Sequence, residues 1–367
     1  MKLECVKDRL KEVVNLAEKI SGHNLTLPIL STVLLETKNK NLIIRSTNLE
    51  VGLELEIPAK IDKDGLVAVN ANILLNYLNN LKKEEKITLE LDNGNLKLST
   101  ESSHTIIKSL SADDFPIIPK ITQESGFEIK ADDFMAGLQS VVFASAVSDI
   151  KPEISSVYIH NDQQDLIFVA TDSFRLAEKK IKIPNLENNI NIIIPFKNIN
   201  ELIRVLSSLG SDLVIVSYDK NQLAIQTDHL YFTLRVIDGN YPDYKQIIPT
   251  KFNTELNIKK EDFVGLLKLS TVFSDRFNQI DLNLKPDSNT LELSSYNQEV
   301  GENKSSFIIK IKGEPLTISF NAKYLIDCLS SFSEQTINLR FTEASRPLMI
   351  EGVNDNSFSY LVMPINK

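Results

Sequence analysis

Leu3-Glu-Cys-Val-Lys-Asp-Arg-Leu10 opens a pattern that the chain repeats as Phe127-Glu-Ile-Lys-Ala-Asp-Asp-Phe134 and as Leu256-Asn-Ile-Lys-Lys-Glu-Asp-Phe263. Each time, alternating apolar residues, which are typical of a strand, run into an acidic residue and the start of a helical pattern. The copies begin 124 and 129 residues apart. One such match could arise by chance, so the repeat needs support from other parts of the chain.

A second block recurs at nearly the same period. It reads Asn70-Ala-Asn-Ile-Leu-Leu-Asn-Tyr-Leu78, Pro195-Phe-Lys-Asn-Ile-Asn-Glu-Leu-Ile203 and Asn321-Ala-Lys-Tyr-Leu-Ile-Asp-Cys-Leu329, with starts 125 and 126 residues apart. Between the two blocks, Leu42-Ile-Ile-Arg-Ser-Thr47 falls opposite Leu166-Ile-Phe-Val-Ala-Thr171. Several blocks in one order at one period indicate that the 367 residues are three copies of a unit of about 122 residues.

Each copy shows strands and helices in alternation. In the first copy, Val6 to Ile20 has apolar residues at helical spacing, and a second helix is expected over Asn72 to Leu81 after Asn70, a good N-cap. Segments with strand patterns lie between them, at Thr32 to Leu35, Asn41 to Ser46 and Val51 to Ile57. The pattern predicts an α+β fold in which each copy consists of two βαβββ halves, with helices on one face of a mostly antiparallel sheet.

Prolines cluster where one copy gives way to the next. The first cluster is Phe115-Pro116-Ile-Ile-Pro119, and the second extends from Tyr241-Pro242 to Pro249. Proline cannot donate a hydrogen bond to a sheet, so such clusters favour the ends of folded units. We therefore expect three domains, over residues 1–122, 123–250 and 251–367.

Composition narrows the class of protein. No apolar run reaches the roughly 18 residues of a membrane helix, and the first residues lack the apolar core of a signal peptide. The two cysteines, Cys5 and Cys328, are far apart, which is typical of a cytoplasmic chain with inert thiols. Four dispersed histidines offer little material for a metal centre, so we expect no metal and no cofactor. The net charge of −9 by itself argues against a nucleic-acid binder.

Several motifs together carry a resemblance to a known family. They are Thr171-Asp-Ser-Phe-Arg175-Leu-Ala177, Tyr241-Pro-Asp-Tyr244, Leu27-Pro-Ile-Leu30 and Tyr360-Leu-Val-Met-Pro364. With the matching length and triplication, they make the whole chain resemble the bacterial sliding clamps, the β subunits of DNA polymerase III. The resemblance implies a head-to-tail homodimeric ring around duplex DNA, with helices lining the inside and sheets outside. It also implies a processivity factor without catalytic activity, and it answers the charge argument, because a ring that slides needs only a few basic residues on its inner helices.

The resemblance further implies three sets of functional residues. A pocket for partner peptides would be formed by Ile154, Thr171, Phe174, Arg175, Leu176, Pro242, Ile247, Phe277, Asn321, Tyr324, Leu361, Val362, Met363 and Pro364. DNA would be faced by Lys82, Lys83, Lys151, Lys197, Arg204 and Lys260. The seam of the homodimer would join Ile106 and Ile107 to Val272 and Phe273. The implied partners are duplex DNA, a second copy of the chain, the clamp loader, the replicative polymerase and other proteins with a clamp-binding motif, but no membrane.

The chain departs from the family at several of these positions. Asn24 and Asn72 stand where basic residues are common, Ser173-Phe174 replaces a usual Gly-His pair, and Gln246 replaces a common arginine. Two other classes of function stay open. An enzyme could use Asp172 with Arg175, or Asp113-Asp114, although no nucleophile elbow, phosphate loop or zinc spacing supports it. A non-catalytic scaffold could use the repeats only to bind peptides.

Overall fold

The computed structural model describes residues 1–22, 27–82, 84–121, 126–147, 150–184, 186 and 189–365. In these ranges the chain forms six α-helices: α1 (Lys7–Ile20), α2 (Ala71–Asn80), α3 (Ala131–Val141), α4 (Phe196–Leu209), α5 (Lys260–Thr271) and α6 (Ala322–Asp327). None of these helices is long and apolar enough to cross a membrane.

The strands follow the three copies. The first copy holds β1 (Lys2–Val6), β2 (Thr32–Lys38), β3 (Asn41–Thr47), β4 (Val51–Pro58), β5 (Lys60–Lys63), β6 (Leu66–Asn70), β7 (Lys86–Asp92), β8 (Asn95–Ser99), β9 (His104–Ile107) and β10 (Ser109–Leu110). The second holds β11 (Gly126–Lys130), β12 (Ser156–Asp162), β13 (Asp165–Thr171), β14 (Arg175–Lys182), β15 (Asn191–Pro195), β16 (Leu213–Tyr218), β17 (Gln222–Gln226) and β18 (Leu230–Arg235). The third holds β19 (Thr254–Lys259), β20 (Gln279–Lys285), β21 (Thr290–Asn297), β22 (Gly301–Ile308), β23 (Ile311–Gly313), β24 (Leu316–Asn321), β25 (Thr336–Phe341), β26 (Leu348–Gly352) and β27 (Phe358–Val362).

The predicted helices and strands of the first copy are confirmed. Helix α1 buries Leu10, Val14 and Ala17, which recur at the spacing of one helical face. Helix α2 begins after Asn70, whose side chain accepts a hydrogen bond from the Ile73 amide at 3.0 Å. Every copy contains one βαβββ half followed by a second, and β5, β10 and β23 are short additions.

The two halves of each copy exchange their first strands. Strand β1 pairs with β7 of the second half, while β6 pairs with β2 of the first. The second copy repeats this exchange with β11·β16 and β15·β12, and the third with β19·β25 and β24·β20. All of these pairs are antiparallel, so each sheet is built from both halves of a copy.

The sheets also continue from one copy to the next. Strand β4 pairs with β18, and β14 pairs with β27, again antiparallel. The result is two nine-stranded sheets, with a five-stranded sheet ending at β9 and a four-stranded sheet ending at β22. The chain consequently divides into two compact units, a first unit of residues 1–132 and 200–236 and a second of 133–199 and 237–367. Compactness therefore does not test the three predicted domain boundaries.

Candidate partner-binding pocket

A tightly bonded turn joins β13 to β14. The Thr171 hydroxyl donates to the carbonyl of Arg175 at 2.6 Å and accepts from the amide of Ser173 at 3.1 Å. The Asp172 carboxylate accepts from the amides of Phe174 and Arg175 at 2.9 and 3.0 Å. Ser173 takes the left-handed conformation with φ 77°. The turn leaves the Phe174 side chain 62% exposed.

Strand β27 completes the site beside this turn. The amide of Met363 donates to the carbonyl of Phe174 at 2.8 Å, and Leu176 lies opposite Leu361 in the β14·β27 register. A small cavity of about 10 Å³ opens here. We call it the C-terminal pocket, and it is lined by Thr171, Ser173, Phe174, Arg175, Leu176, Ile247, Pro347, Leu361 and Met363. Its walls are mainly apolar.

The floor of the C-terminal pocket belongs to a buried cluster. Leu176 and Leu361 pack there with Ile167, Val169, Tyr244 and Met349. The Tyr244 hydroxyl donates to the Glu178 carboxylate at 2.6 Å and lies 2.8 Å from His160 Nε2. Burial, followed by the nearby Glu178 charge, raises the pKa of Tyr244. Burial lowers the pKa of His160. The pocket thus has a buried apolar floor, and a hydrogen-bonded polar network lies behind it.

Arg175 is held within the second unit by two carboxylates. Its Nε lies 2.9 Å from Asp172 Oδ2, and its Nη1 lies 2.8 Å from Asp327 Oδ2. The guanidinium also stacks 4.3 Å from the ring centroid of Tyr324. Burial opposes its charge, but the hydrogen bonds to Asp327 and Asp172 outweigh burial and raise the pKa of Arg175. Arg175 therefore lines the pocket as a charged side chain that is already paired with two carboxylates.

The structure brings together seven of the residues that the resemblance implied for this pocket: Thr171, Phe174, Arg175, Leu176, Ile247, Leu361 and Met363. The remaining seven lie outside the lining: Ile154, Pro242, Phe277, Asn321, Tyr324, Val362 and Pro364. Val362 is a correction, because its side chain is fully buried at 0% exposure and offers no surface to a ligand. Asn321 instead caps α6, accepting from the Lys323 amide at 2.9 Å. Tyr324 lies behind the lining, where its ring stacks on Arg175.

Sequence reasoning missed several participants. Pro347 lines the pocket, and Asp327 fixes Arg175 from 152 residues further along the chain. No sequence pattern pointed to either residue. Tyr244 belonged to a recognised motif, but its bonds to His160 and Glu178 depend on sheet pairing that the motif does not reveal.

Four of the six basic residues assigned to DNA are exposed on or beside helices: Lys82, Lys151, Lys197 and Arg204. The Arg204 guanidinium lies 3.5 Å from the Glu201 carboxylate. Lys260 is half-buried, and its ammonium donates to the carbonyl of Phe332 at 2.5 Å. Lys83 lies outside the described residues.

The residues assigned to the seam divide in the same way. Ile106 and Val272 are 59% and 63% exposed, and Phe273 is half-buried. Ile107 is a correction, because only 4% of it is exposed. Successive residues of a strand point to opposite faces, so Ile106 and Ile107 cannot both face outward from β9.

The described part of the chain contains no cluster of histidine, cysteine, aspartate and glutamate residues that could hold a metal ion. Both cysteines are buried and unpaired. Burial, followed by the Glu4 charge, raises the pKa of Cys5 to about 12, and burial also raises the pKa of Cys328 well above its usual range. Neither thiol is reactive near neutral pH.

The fold and the pocket define the class of this protein as a three-domain clamp. A crystal structure of a DNA polymerase sliding clamp from Bacillus subtilis matches 100% of this chain and 99% of its own, with a TM-score of 0.94 at 27% identity. Models of the N-terminal, central and C-terminal domains of the DNA polymerase III beta subunit match residues 1–119, 128–243 and 245–366. The chain therefore belongs to the DNA polymerase III beta subunit family.

Two curated relatives, both described as beta sliding clamps, support this assignment. The protein from Synechococcus elongatus is 28% identical over 100% of this chain and 99% of its own length. The protein from Bacillus subtilis has the same identity and coverage. Both descriptions agree with the family that the three domain models identify.

Proposed function

We propose that two molecules of this chain form a head-to-tail ring around duplex DNA. Each molecule contributes three domains, over residues 1–122, 123–250 and 251–367, with the helices on the inside of the ring. The ring tethers the replicative polymerase and other proteins through the C-terminal pocket. It works in the cytoplasm, takes no part in catalysis and needs no cofactor. The observation that carries the ring is the pairing rule of the strands.

Among the described residues, two strands at sheet edges, β9 and β22, lack the pairing partner that the other copies provide. The last strand of one copy's first half pairs with the last strand of the next copy's second half, as β4·β18 and β14·β27. By that rule, β22 of the third copy would need a pairing strand from a following copy, and β9 of the first copy would need one from a preceding copy. Both strands are sheet edges in the described part of the chain. An open edge favours pairing with another chain.

Joining β22 of one chain to β9 of a second extends the same rule. Exposed apolar side chains support this pairing: Ile106 on β9, Val272 directly after α5, and Val300 and Ile308 around β22. Gly301, the first residue of β22, lies near the Phe273 ring, which would be 4.0 Å from an added Cβ. Two such junctions close two chains into a ring.

The charge distribution fits a ring that slides. The whole chain carries a net charge of −9, so a general electrostatic attraction to DNA is absent. A few exposed cations on the helices, Lys82, Lys151, Lys197 and Arg204, would contact phosphates weakly and without reading sequence. Retention on DNA would then depend on topology rather than on affinity.

The exposed rim of the C-terminal pocket offers apolar contacts to short partner segments. Ile247 and Phe174 expose 50% and 62% of their surfaces at its rim, and Met363 is a side chain that repacks easily. Since Arg175 is already bound by two carboxylates, recognition here would rest on apolar anchors rather than on a salt bridge. The clamp loader, the polymerase and other partners would compete for this pocket.

The proposed tether is tested by retention on two forms of one DNA. The solution mass is measured first, and the clamp is then loaded onto nicked circular DNA with a clamp loader at moderate salt. A mass of two chains, with release only after the circle is linearised, is expected. Equal retention on both forms would point to surface binding and favour the scaffold alternative.

The seam is tested separately with paired substitutions. Ile106→Arg with Val272→Arg places like charges on both sides of the junction and should give monomers by analytical ultracentrifugation. Val147→Arg adds the same charge at an apolar residue that is 85% exposed and lies on neither strand, so it should stay dimeric. A dimeric double variant would refute the β9·β22 pairing.

A further inference from the structure

The turn that builds the C-terminal pocket occurs a second time, between β3 and β4. There the Thr47 hydroxyl donates to the carbonyl of Val51 at 2.7 Å and accepts from the amide of Leu49 at 3.0 Å. The Asn48 side chain accepts from the amides of Glu50 and Val51 at 3.0 and 2.9 Å. Leu49 has φ 76°, as Ser173 has 77°. The two turns match bond for bond.

In both units, the residue that follows the strand next to the turn, or ends it, makes the equivalent backbone hydrogen bond to the turn. The amide of Arg235 donates to the carbonyl of Glu50 at 2.9 Å, as the amide of Met363 does to that of Phe174 at 2.8 Å. Gly52 lies opposite Thr233, where the second unit has Leu176 opposite Leu361. A Cβ added to Gly52 would lie 2.8 Å from Ile118, so Ile118 occupies the space next to Gly52. The first unit therefore rebuilds the same backbone frame with other side chains.

This second frame encloses a larger cavity, of about 220 Å³. We call it the N-terminal pocket, and it is lined by Thr47, Leu49, Glu50, Val51, Gly52, Pro116, Ile117, Pro119, Gln222, Thr233, Leu234 and Arg235. Its volume exceeds that of a cavity of about 150 Å³ that holds a benzene ring, so one aliphatic side chain fits. Ile117 and Leu49 are 93% and 47% exposed at its rim. Such exposure of large apolar residues beside a cavity favours an apolar ligand.

The charge at the rim limits the ligand further. Arg235 is exposed where the C-terminal pocket has Met363, and it lies opposite Glu50 across the two strands. One guanidinium can bind two carboxylates, as Arg45 does in the same unit with Glu36 and Glu54 at 2.5 and 2.6 Å. Arg235 is exposed at the rim and carries several N–H donors, so its guanidinium can reach a carboxylate of a ligand. A segment with one acidic residue beside its apolar anchor complements this rim.

We propose that the N-terminal pocket is a second docking site, and that it binds an extended peptide segment with an aliphatic anchor next to a single acidic residue. The aliphatic side chain enters between Leu49 and Ile117, and the carboxylate pairs with Arg235. The ligand chemistry differs from that of the C-terminal pocket, where Arg175 is half-buried and is held by Asp172 and Asp327. The two pockets thus select different segments.

The test uses methyl-labelled full-length clamp and the acetylated, amidated peptide Gly-Ser-Asp-Leu-Leu-Ser-Gly. Methyl NMR should show saturable shifts at Leu49, Val51 and Ile117, and these should persist in the control variant Ile247→Ser, which alters the C-terminal pocket. Ile117→Ser should weaken binding about tenfold, since it removes an anchor contact. Ile117 is 93% exposed, so this change leaves the fold intact.

Arg235→Gln tests the charge. It should weaken the Asp-Leu-Leu peptide several-fold and leave an Asn-Leu-Leu peptide unchanged. Shifts confined to the C-terminal pocket, or no saturable shifts, would overturn the site. Equal binding of a Lys-Leu-Leu peptide would overturn the proposed ligand. These readouts report on this pocket directly and are independent of ring closure and DNA retention.

Discussion

The N-terminal and C-terminal pockets share a backbone and differ in chemistry. In both, a threonine hydroxyl and the following Asn or Asp side chain bond the same four backbone groups of a turn. At the last turn position, however, Val51 is 2% exposed and apolar, whereas Arg175 is fixed by two carboxylates. The repeated backbone decides where a pocket forms, and the side chains decide what it binds.

Exchanging Val51 and Arg175, the residues at the last turn position, should change the free energy of unfolding the most. Val51→Arg puts a cation at a buried position where Asn48 replaces Asp172, so it should lower the free energy of unfolding by about 4 kcal/mol. Arg175→Val leaves Asp172 and Asp327 without their cation and should cost about 3 kcal/mol. Urea unfolding measures both.

A double variant tests whether the missing carboxylate accounts for the lost stability. Adding Asn48→Asp to Val51→Arg supplies the carboxylate that Asp172 provides in the other turn, so part of the lost stability should return. If Val51→Arg unfolded at the same urea concentration as the parent protein, the two positions would be equivalent in their surroundings and the comparison would fail.

The local elements and the repeat could be predicted from sequence because their causes are local. Helical spacing at Leu10, Val14 and Ala17 and the cap at Asn70 each act within a few residues. The exchange of first strands between halves could not be predicted, because it depends on pairing between residues far apart in the sequence, such as Gly126 and Ser217, which are 91 positions apart.

The same distinction applies to the functional residues. The resemblance assigned Leu176, Leu361 and Met363 to one site from two separate motifs, and all three line the C-terminal pocket. It assigned both Ile106 and Ile107 to the seam, but the alternation of β9 buries one of them. It assigned Lys260 to DNA, and the ammonium of Lys260 donates to the carbonyl of Phe332, 72 residues further along the chain. Side-chain direction and long-range partners were the missing information.

Removing the turn hydroxyls should have the next largest effect. Thr171→Val and Thr47→Val each delete one hydroxyl that donates one hydrogen bond and accepts another. Each should lower the free energy of unfolding by about 1–2 kcal/mol, and the two losses should agree closely if the turns are equivalent. Thr→Ser at either position keeps both bonds and serves as the control. A large difference between the two valine variants would show that the two turns contribute unequally to the free energy of unfolding.

Acid should affect the C-terminal pocket through His160. Burial lowers the pKa of His160 below its usual 6.5, so the unfolded chain binds a proton more readily than the folded one. Stability linked to His160 is therefore present above pH 6.5 and is lost as pH falls from there towards the folded pKa, by at most about 1.4 kcal/mol per pH unit. Asp162, Glu178 and Lys245 act on the ring and set the depth of the loss.

The difference in urea midpoint between the parent protein and His160→Gln should change over this window and stay constant above it. None of the residues that line the N-terminal pocket is a histidine. Methyl signals of Val51 and Leu234 should accordingly be insensitive to pH where those of Leu176 and Leu361 respond. A pH-independent difference between the two proteins would exclude His160 as the cause.

Relief of backbone strain should give the smallest effect, and it should be stabilising. Leu49 and Ser173 adopt left-handed conformations that cost a non-glycine residue on the order of 1 kcal/mol. Glycine avoids this cost but loses more chain entropy on folding, so Leu49→Gly and Ser173→Gly should each raise the free energy of unfolding by about 0.5 kcal/mol. Alanine at the same positions keeps the strain and should bring no gain. Because Leu49 lines the N-terminal pocket, Leu49→Gly should gain stability while it loses affinity for the aliphatic peptide, and this opposition separates a binding residue from a structural one.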